Sequence, residues 1–307
     1  MNHPASCRGG VLAGCALALV ATAIWSGNFI VARGLARSVE PATLAFCRWA
    51  TAFVVLSPMA GAAAWRERRI LIRHVRFLVL TSFLGVTVFN TVIYLAGRST
   101  QALNLALIAT TTPAFIILFA RIRLAEPVTP GKLAGLGAAV AGAILLVTDG
   151  DLSRLAGLRL AAGDLWMLLA AAIFAAYSIL VRLRPPELGQ GAFLLATFGL
   201  GVAMLAPWAA WEAWSRGLPE PTPALIGSVL YVGLGASLAS YWCWNRAVAL
   251  AGPSRAGMVY YSLPLFCGLE AWLILGEPIG WVHAVSAVLI IGGIVLATRQ
   301  PKTGIPA

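Results

Sequence analysis

Long apolar runs are the feature that most constrains this chain. A bilayer core of about 30 Å is spanned by about 20 apolar residues in a helix, and runs of that length cover most of the sequence. Only 11% of the 307 residues are charged, against about 25% in an ordinary soluble domain. We therefore predict an all-α integral membrane protein with ten transmembrane helices, at residues 11–32, 41–64, 75–96, 100–120, 127–147, 163–181, 191–211, 224–245, 256–275 and 278–297.

The basic residues are distributed unevenly between the predicted loops. If the N-terminus is cytoplasmic, 15 Lys and Arg residues fall on the cytoplasmic side and six on the other side. Cytoplasmic loops of membrane proteins generally carry the excess of Lys and Arg. We therefore expect both termini in the cytoplasm. We interpret the net charge of +11 as a topology signal, and we expect no nucleic-acid partner.

The chain contains an internal repeat. A shift of 151 residues aligns 113–145 with 264–296 without a gap, and nine of these 33 pairs are identical. A weaker match at a shift of 149 relates the first helices of the two halves. The repeat divides the chain into residues 1–150 and 151–307, with five predicted helices each. Because five is odd, the second unit is predicted to enter the membrane inverted, as in secondary transporters whose substrate site lies near the midplane between repeats.

Two Glu-Pro pairs occupy equivalent positions of this repeat, in "LAEP" (124–127) and "LGEP" (275–278). Inversion would place Glu126 and Glu277 at opposite membrane surfaces, where a single proton carrier is not expected. A carboxylate favours a helix N-terminus, and Pro fits the first turn. We interpret both pairs as helix-start signals.

Several short motifs together resemble a known family. They are "WSGNF" in the first helix, Arg48 in the second, "TTTPAF" followed by "LAEP", and a glycine-rich fifth helix, all repeated in weaker form. This ordered set resembles the EamA family of the drug/metabolite transporter superfamily. The resemblance implies a ten-helix carrier that exports amino acids and other small metabolites across the bacterial inner membrane. The aromatic residues near mid-membrane are most similar to those of YddG-type exporters of aromatic and neutral amino acids.

Polar and aromatic side chains at matched positions of the two units are candidates for a substrate cavity. A polar side chain inside a bilayer is costly unless it has partners or water. Asn90 and Tyr94 share a face of the third helix, and their counterparts are Tyr241 and Asn245. The other candidates are Trp25, Asn28, Thr110, Thr111, Tyr177, Ser178, Trp242, Tyr260, Tyr261 and Ser262. For each residue taken singly, the alternative is a role in helix packing.

Few charged residues fall inside the predicted helices. Arg48 and Glu270 lie at similar depths, about 10 Å from the outer surface. We hypothesise that they form an ion pair, or that Glu270 carries a proton and Arg48 tunes it; a static structural pair is the alternative. Pro113 and Pro264 are predicted to kink the fourth and ninth helices. Such kinks could serve as hinges for alternating access.

The sequence has no motif for a cofactor or a metal. It lacks the loop GxxxxGK[ST], so we expect neither ATP hydrolysis nor an ATPase subunit, and its five cysteines show no metal-ligand spacing. We expect a monomer that is not an enzyme, with a small-molecule substrate and membrane lipid as partners. The functional alternatives are an exporter of cationic drugs or of another metabolite, and a membrane-embedded transferase with grouped catalytic residues.

Overall fold

The computed structural model of the chain describes residues 4–35, 39–100, 102–156, 161–275 and 279–298, and within them all regular structure is helical. The α-helices are α1 (Pro4–Leu35), α2 (Pro41–Arg66), α3 (Arg68–Arg73), α4 (Val75–Ser82), α5 (Phe89–Ser99), α6 (Ala102–Ala109), α7 (Thr112–Leu124), α8 (Pro130–Val147), α9 (Ser153–Ala156), α10 (Ala162–Arg182), α11 (Gln190–Arg216), α12 (Pro223–Leu230), α13 (Ser240–Ala251), α14 (Pro253–Tyr260), α15 (Leu263–Leu275) and α16 (Trp281–Thr298). Two π-helical segments, Phe83–Val88 and Tyr231–Ala239, join α4 to α5 and α12 to α13.

Nine segments of the described chain are long and apolar enough to cross a membrane. They correspond to nine of the ten predicted spans. The predicted span 256–275 is not among them; there the described chain forms α14 and α15, which are separated by a turn at Tyr261 and Ser262. Pro264 follows that turn, and its ring and missing N–H disfavour a continuous helix.

The helix-start interpretation of "LAEP" is wrong in position. Residues 125–129 are not helical, and α8 begins at Pro130. Thr129 accepts a hydrogen bond from the Lys132 amide and caps the helix, which moves the start three residues beyond Pro127. The Glu126 carboxylate instead accepts a hydrogen bond from Ser254 and lies 3.5 Å from Lys132 Nζ. Glu277 and Pro278 lie outside the described residues.

The sequence repeat is also visible in the irregularities of the backbone. The π segment 83–88 corresponds, at a shift of 151, to residues 234–239 inside the second π segment. The helix break at Thr110 and Thr111 corresponds in the same way to the break at Tyr261 and Ser262. The two units therefore share the places where their helices depart from α geometry.

The last spans of the two units cross closely and run antiparallel. A Cβ on Gly135 would lie 2.4 Å from the carbonyl oxygen of Gly293, and a Cβ on Gly142 would lie 3.0 Å from that of Ser286. Residues that come later in α8 therefore lie against residues that come earlier in α16, so the two helices are antiparallel. Opposite directions for equivalent helices are what an inverted repeat predicts, and the small residues allow the backbones to touch.

This close crossing makes a prediction about two adjacent glycines. Gly293→Ala is expected to destabilise the protein by about 1–3 kcal/mol, because its Cβ would lie 2.5 Å from the Gly135 carbonyl oxygen. Gly292→Ala is the matched control, since nothing lies within 4 Å of the Cβ it would add. Thermal unfolding in detergent should show a lower midpoint for Gly293→Ala alone. Equal midpoints for both variants would contradict the helix crossing.

Candidate substrate cavity

A small cavity lies between the two units. Its volume is about 20 Å³, which is room for about one water molecule. Five helices contribute to its wall: α1, α2, α5, α10 and α14. The residues that line it are Trp25, Asn28, Arg48, Phe89, Asn90, Ile93, Phe174 and Tyr260. Because no metabolite fits this volume, the helices must separate before a substrate can enter.

Aromatic rings form much of the wall. The ring of Phe174 stacks on Phe89 with centroids 4.8 Å apart and meets the edge of Trp25 at 5.3 Å. Tyr260 contacts both Trp25 and Phe174, at 6.1 and 6.0 Å. The sequence did not predict Phe89, Ile93 and Phe174 as lining residues, because the criterion was a polar side chain at matched positions and these three side chains are apolar. For Phe174 a signal exists, since it is the counterpart of Trp25 at a shift of 149.

Among the described residues of the cavity wall, Arg48 alone is charged, and it is only 1% exposed. Its Nη1 donates hydrogen bonds to Asn28 Oδ1 at 3.2 Å and to Tyr94 Oη at 2.8 Å. Its Nε donates to Ser237 Oγ at 2.6 Å, and its Nη2 to the Ala236 carbonyl oxygen at 3.0 Å. Arg48 therefore connects its own unit to the π segment of the other unit.

The two π segments exchange equivalent hydrogen bonds between the units. The carbonyl of Ala236 accepts from Arg48 and from Trp25 Nε1, the latter at 2.9 Å. Its counterpart at a shift of 151 is Gly85, whose carbonyl accepts from Tyr241 Oη at 2.8 Å. A π segment departs from the i→i+4 pattern and frees carbonyl groups for side chains. Each unit thus presents one such carbonyl to a side chain of the other.

One pair of predicted residues shows where the units differ. Tyr177 Oη donates directly to Asn245 Oδ1 at 2.9 Å. The counterparts, Asn28 and Tyr94, both accept from Arg48 Nη1. The corresponding stretch of the second unit, residues 193–203, contains no basic residue. Arg48 is therefore the main departure from the symmetry of the site.

The hypothesised ion pair between Arg48 and Glu270 does not form. Glu270 Oε1 accepts a hydrogen bond from Ser26 Oγ at 2.6 Å. No carboxylate of the described residues lies within 4.0 Å of an Arg48 nitrogen. The guanidinium bonds to Asn28 and Ser237 instead. The similar membrane depth that the sequence predicts for Arg48 and Glu270 therefore does not bring the two side chains into contact.

The other predicted residues divide between the polar network and positions away from the cavity. Asn90 Nδ2 lies 3.5 Å from Tyr241 Oη, and Ser178 Oγ accepts from Trp244 Nε1 at 3.1 Å. Trp242 is 42% exposed and is not part of the wall, while Tyr261 packs in a separate core cluster with residues of α7, α8 and α16. The hydroxyls at the helix breaks each donate to the carbonyl three residues earlier; they belong to Thr110, Thr111 and Ser262.

Hydrogen bonds also tie the units together at both ends of the bundle. At one end Glu40 bonds to Arg98 at 2.9 Å and to Arg216 of the second unit at 3.0 Å, and the hydrogen bond from Arg98 lowers the pKa of the Glu40 carboxyl. At the other end the Gly189 amide donates to Glu67 Oε2 at 2.7 Å. Polar contacts therefore join the two units near both ends of α2.

The comparison with protein families decides what this architecture is. A sequence model described as the EamA-like transporter family matches residues 12–148 and, separately, residues 161–299. The chain belongs to the EamA-like transporter family. Its two matched segments correspond to the two units of the internal repeat. The site described above is therefore the interface between two EamA units of a multi-pass membrane transporter.

Individual relatives agree with the family. The EamA chain is 25% identical over 283 residues to an uncharacterized transporter of Archaeoglobus fulgidus, with 90% of this chain and 94% of that protein covered. It is 26% identical over 298 residues to a Streptantibioticus cattleyicolor protein named "Probable terminal-alkyne amino-acid exporter", with 92% and 93% covered. A crystal structure matches with a TM-score of 0.73 at 19% identity, over 92% of this chain and 96% of that one, which shows a shared fold.

The exchange of hydrogen bonds at the π segments makes a prediction about two buried tyrosines. Tyr241→Phe is expected to destabilise the protein by about 1–3 kcal/mol, because the Gly85 carbonyl loses the hydroxyl that bonds to it. Tyr260→Phe is the control, since the described residues offer its hydroxyl no hydrogen-bond partner. Thermal unfolding midpoints in detergent measure the difference. A larger loss for Tyr260→Phe than for Tyr241→Phe would contradict the assignment.

Proposed function

We propose that this EamA protein exports small metabolites, above all amino acids with aromatic or neutral side chains, across the bacterial inner membrane. Transport proceeds by alternating access through the cavity between the units. The observation that carries the proposal is a cavity at the unit interface with aromatic walls from both units and the polar side chains of Asn28, Arg48 and Asn90, the composition of a small-molecule site. The relative named as an amino-acid exporter supports the substrate class.

The membrane topology in this proposal has ten spans, arranged as inverted units 1–150 and 151–307, with both termini in the cytoplasm. The antiparallel crossing of α8 and α16 supports inversion, and the excess of Lys and Arg in alternate loops supports the orientation. The tenth span consists of α14 and α15 together.

Alternating access requires each unit to bend at defined places. The helix breaks two to three residues before Pro113 and Pro264 are matched in the two units. Backbone at such a break is held by fewer i→i+4 hydrogen bonds than a continuous helix, so it can change direction at lower cost. We propose both breaks as the hinges. Opening at one end would separate Glu40 from Arg216, and opening at the other would separate Glu67 from Gly189.

The alternatives have less support from the site. A cationic drug would meet the buried guanidinium of Arg48, and like charges in a medium of low dielectric repel strongly. A membrane transferase needs grouped catalytic residues. The described residues contain no group of three or more His, Cys, Asp or Glu that could hold a metal ion.

The proposal predicts amino-acid exchange in liposomes. Purified protein reconstituted with unlabelled L-phenylalanine inside should accumulate labelled L-phenylalanine by counterflow, with competition by other neutral amino acids. Protein-free liposomes are the control. If no member of a panel of the twenty standard amino acids exchanges, the proposed substrate class is wrong.

Variants of two tryptophans test the proposed location of the substrate cavity. Trp25→Ala is expected to reduce the counterflow rate about tenfold or more, because it removes an indole of the wall that contacts the rings of Phe174 and Tyr260, each contact being worth about 0.5–1.5 kcal/mol. Trp242→Ala is the matched control and should keep the wild-type rate, since that indole points away from the cavity. Equal losses in the two variants would contradict the assigned location.

A further inference from the structure

We infer that Arg48 is the carboxylate-binding residue of this EamA cavity, and that a bound carboxylate displaces hydrogen bonds through which Arg48 holds the two units together. The inference rests on the proposed function and deepens it. It assigns the substrate class as small organic carboxylates with an apolar or aromatic remainder. It also gives Arg48 a second role, as the residue that couples binding to opening.

The first observation is an uncompensated charge. The Arg48 guanidinium is 1% exposed, lies inside the membrane, and has only neutral oxygen atoms as hydrogen-bond acceptors. A charged group that lacks a counter-ion in such surroundings is destabilised by several kcal/mol. Glu270, the intramembrane acid that could have compensated it, bonds to Ser26 instead. A negatively charged ligand in the cavity would supply the counter-ion that the described residues do not give Arg48.

The second observation is the location of that charge. Arg48 lines the cavity together with Trp25, Phe174 and Tyr260. A guanidinium has a planar fork of donors that matches the two oxygens of a carboxylate. The aromatic rings beside it offer an apolar surface to the rest of the molecule. Charge at one end and aromatic walls at the other suit an aromatic or aliphatic carboxylic acid, which includes the carboxylate end of a neutral amino acid.

The third observation is how the donors of Arg48 are used. A guanidinium has five N–H groups, and Arg48 makes four hydrogen bonds with them. A carboxylate that binds through two N–H groups must therefore displace at least one existing partner. The acceptors that Arg48 already has are neutral, whereas a carboxylate adds the attraction between two opposite charges in surroundings of low dielectric, so the exchange is favourable.

Displacement has a mechanical consequence. The bonds from Arg48 to Ser237 and Ala236 cross from the first unit to the π segment of the second. The bonds to Asn28 and Tyr94 hold α2 against α1 and α5 within the first unit. A carboxylate that replaces Ser237 or Ala236 weakens the connection between the units directly, and one that replaces Asn28 or Tyr94 loosens α2, which carries Arg48. Either displacement favours separation of the units, so substrate binding promotes the opening that transport needs.

The test compares two ligands of nearly the same shape, one with a charged carboxylate and one with a neutral amide in its place. The probes are 3-phenylpropionate and its uncharged amide, 3-phenylpropionamide, and their Kd values are measured on purified full-length protein in nanodiscs by tryptophan fluorescence. We expect the carboxylate to bind at least tenfold more tightly than the amide. Arg48→Gln should abolish this preference, Arg48→Lys should reduce it because the fork is lost, and Trp242→Phe, a control outside the cavity, should keep it.

A variant that retains Arg48 gives the most specific result. Tyr94→Phe removes one competing acceptor from Nη1, so it should tighten carboxylate binding severalfold, toward tenfold, while amide binding stays unchanged. A purely structural role for Arg48 predicts weaker or unchanged binding of both probes. Because this variant keeps the guanidinium in place, it decides the question even if Arg48→Gln does not fold.

The inference is overturned if the carboxylate and the amide bind equally well to the wild type, or if Arg48→Gln keeps the carboxylate preference. It is also overturned if Tyr94→Phe changes the affinity for both probes alike. These outcomes are separate from those of the counterflow assay. Amino-acid exchange without a carboxylate preference overturns the role of Arg48 alone. A carboxylate preference without amino-acid exchange overturns only the proposal that the substrates are amino acids.

Discussion

The hydrogen bonds between Arg48 and the π segment of the opposite unit are the interaction on which the centre of this EamA protein depends. In a bilayer no water satisfies a carbonyl group that has lost its helical partner. The carbonyl of Ala236 is satisfied by Arg48 and Trp25, and the equivalent carbonyl of Gly85 by Tyr241. Each π segment is therefore stabilised by side chains of the other unit, and these hydrogen bonds hold the two units in contact.

The same arrangement explains how the two units can separate to admit a substrate. The bonds that hold the units together at the cavity are few and involve neutral acceptors, so a charged ligand can replace them. The ends of the bundle are tied by single ion pairs or amide contacts, such as Glu40 with Arg216, and contacts of this kind contribute little net stability. Two similar units with matched helix breaks can then exchange between states of similar energy.

The sequence predicted the parts of the fold that depend on periodicity and composition. Nine spans and the repeat followed from apolar runs and matched residues. Of the matched polar residues, Asn90 and Tyr241 lie 3.5 Å apart, whereas Tyr94 bonds to Arg48 and Asn245 to Tyr177. Side-chain direction could not be predicted in the same way. Trp242 and Trp244 are two residues apart, and only Trp244 is buried against Trp25, because neighbouring positions on a helix point to different sides.

The partners of charged residues were also beyond the sequence. Depth in the membrane suggested that Arg48 would meet Glu270, but depth does not fix the rotation of a helix about its axis. The start of α8 was misplaced for a related reason, since capping by Thr129 competes with the Glu-Pro signal and both patterns are compatible with a helix N-terminus. Contacts between distant segments decide such cases.

A structure of the protein in lipid with its transported substrate bound, as identified by the counterflow panel, tests the central claim most directly. The claim is that the substrate carboxylate binds the guanidinium of Arg48 and replaces at least one of its present hydrogen-bond acceptors. We predict that a carboxylate oxygen lies about 3 Å from an Arg48 nitrogen and that at least one bond to Asn28, Tyr94, Ser237 or Ala236 is broken. A substrate bound elsewhere, with all four bonds of Arg48 intact, would contradict it.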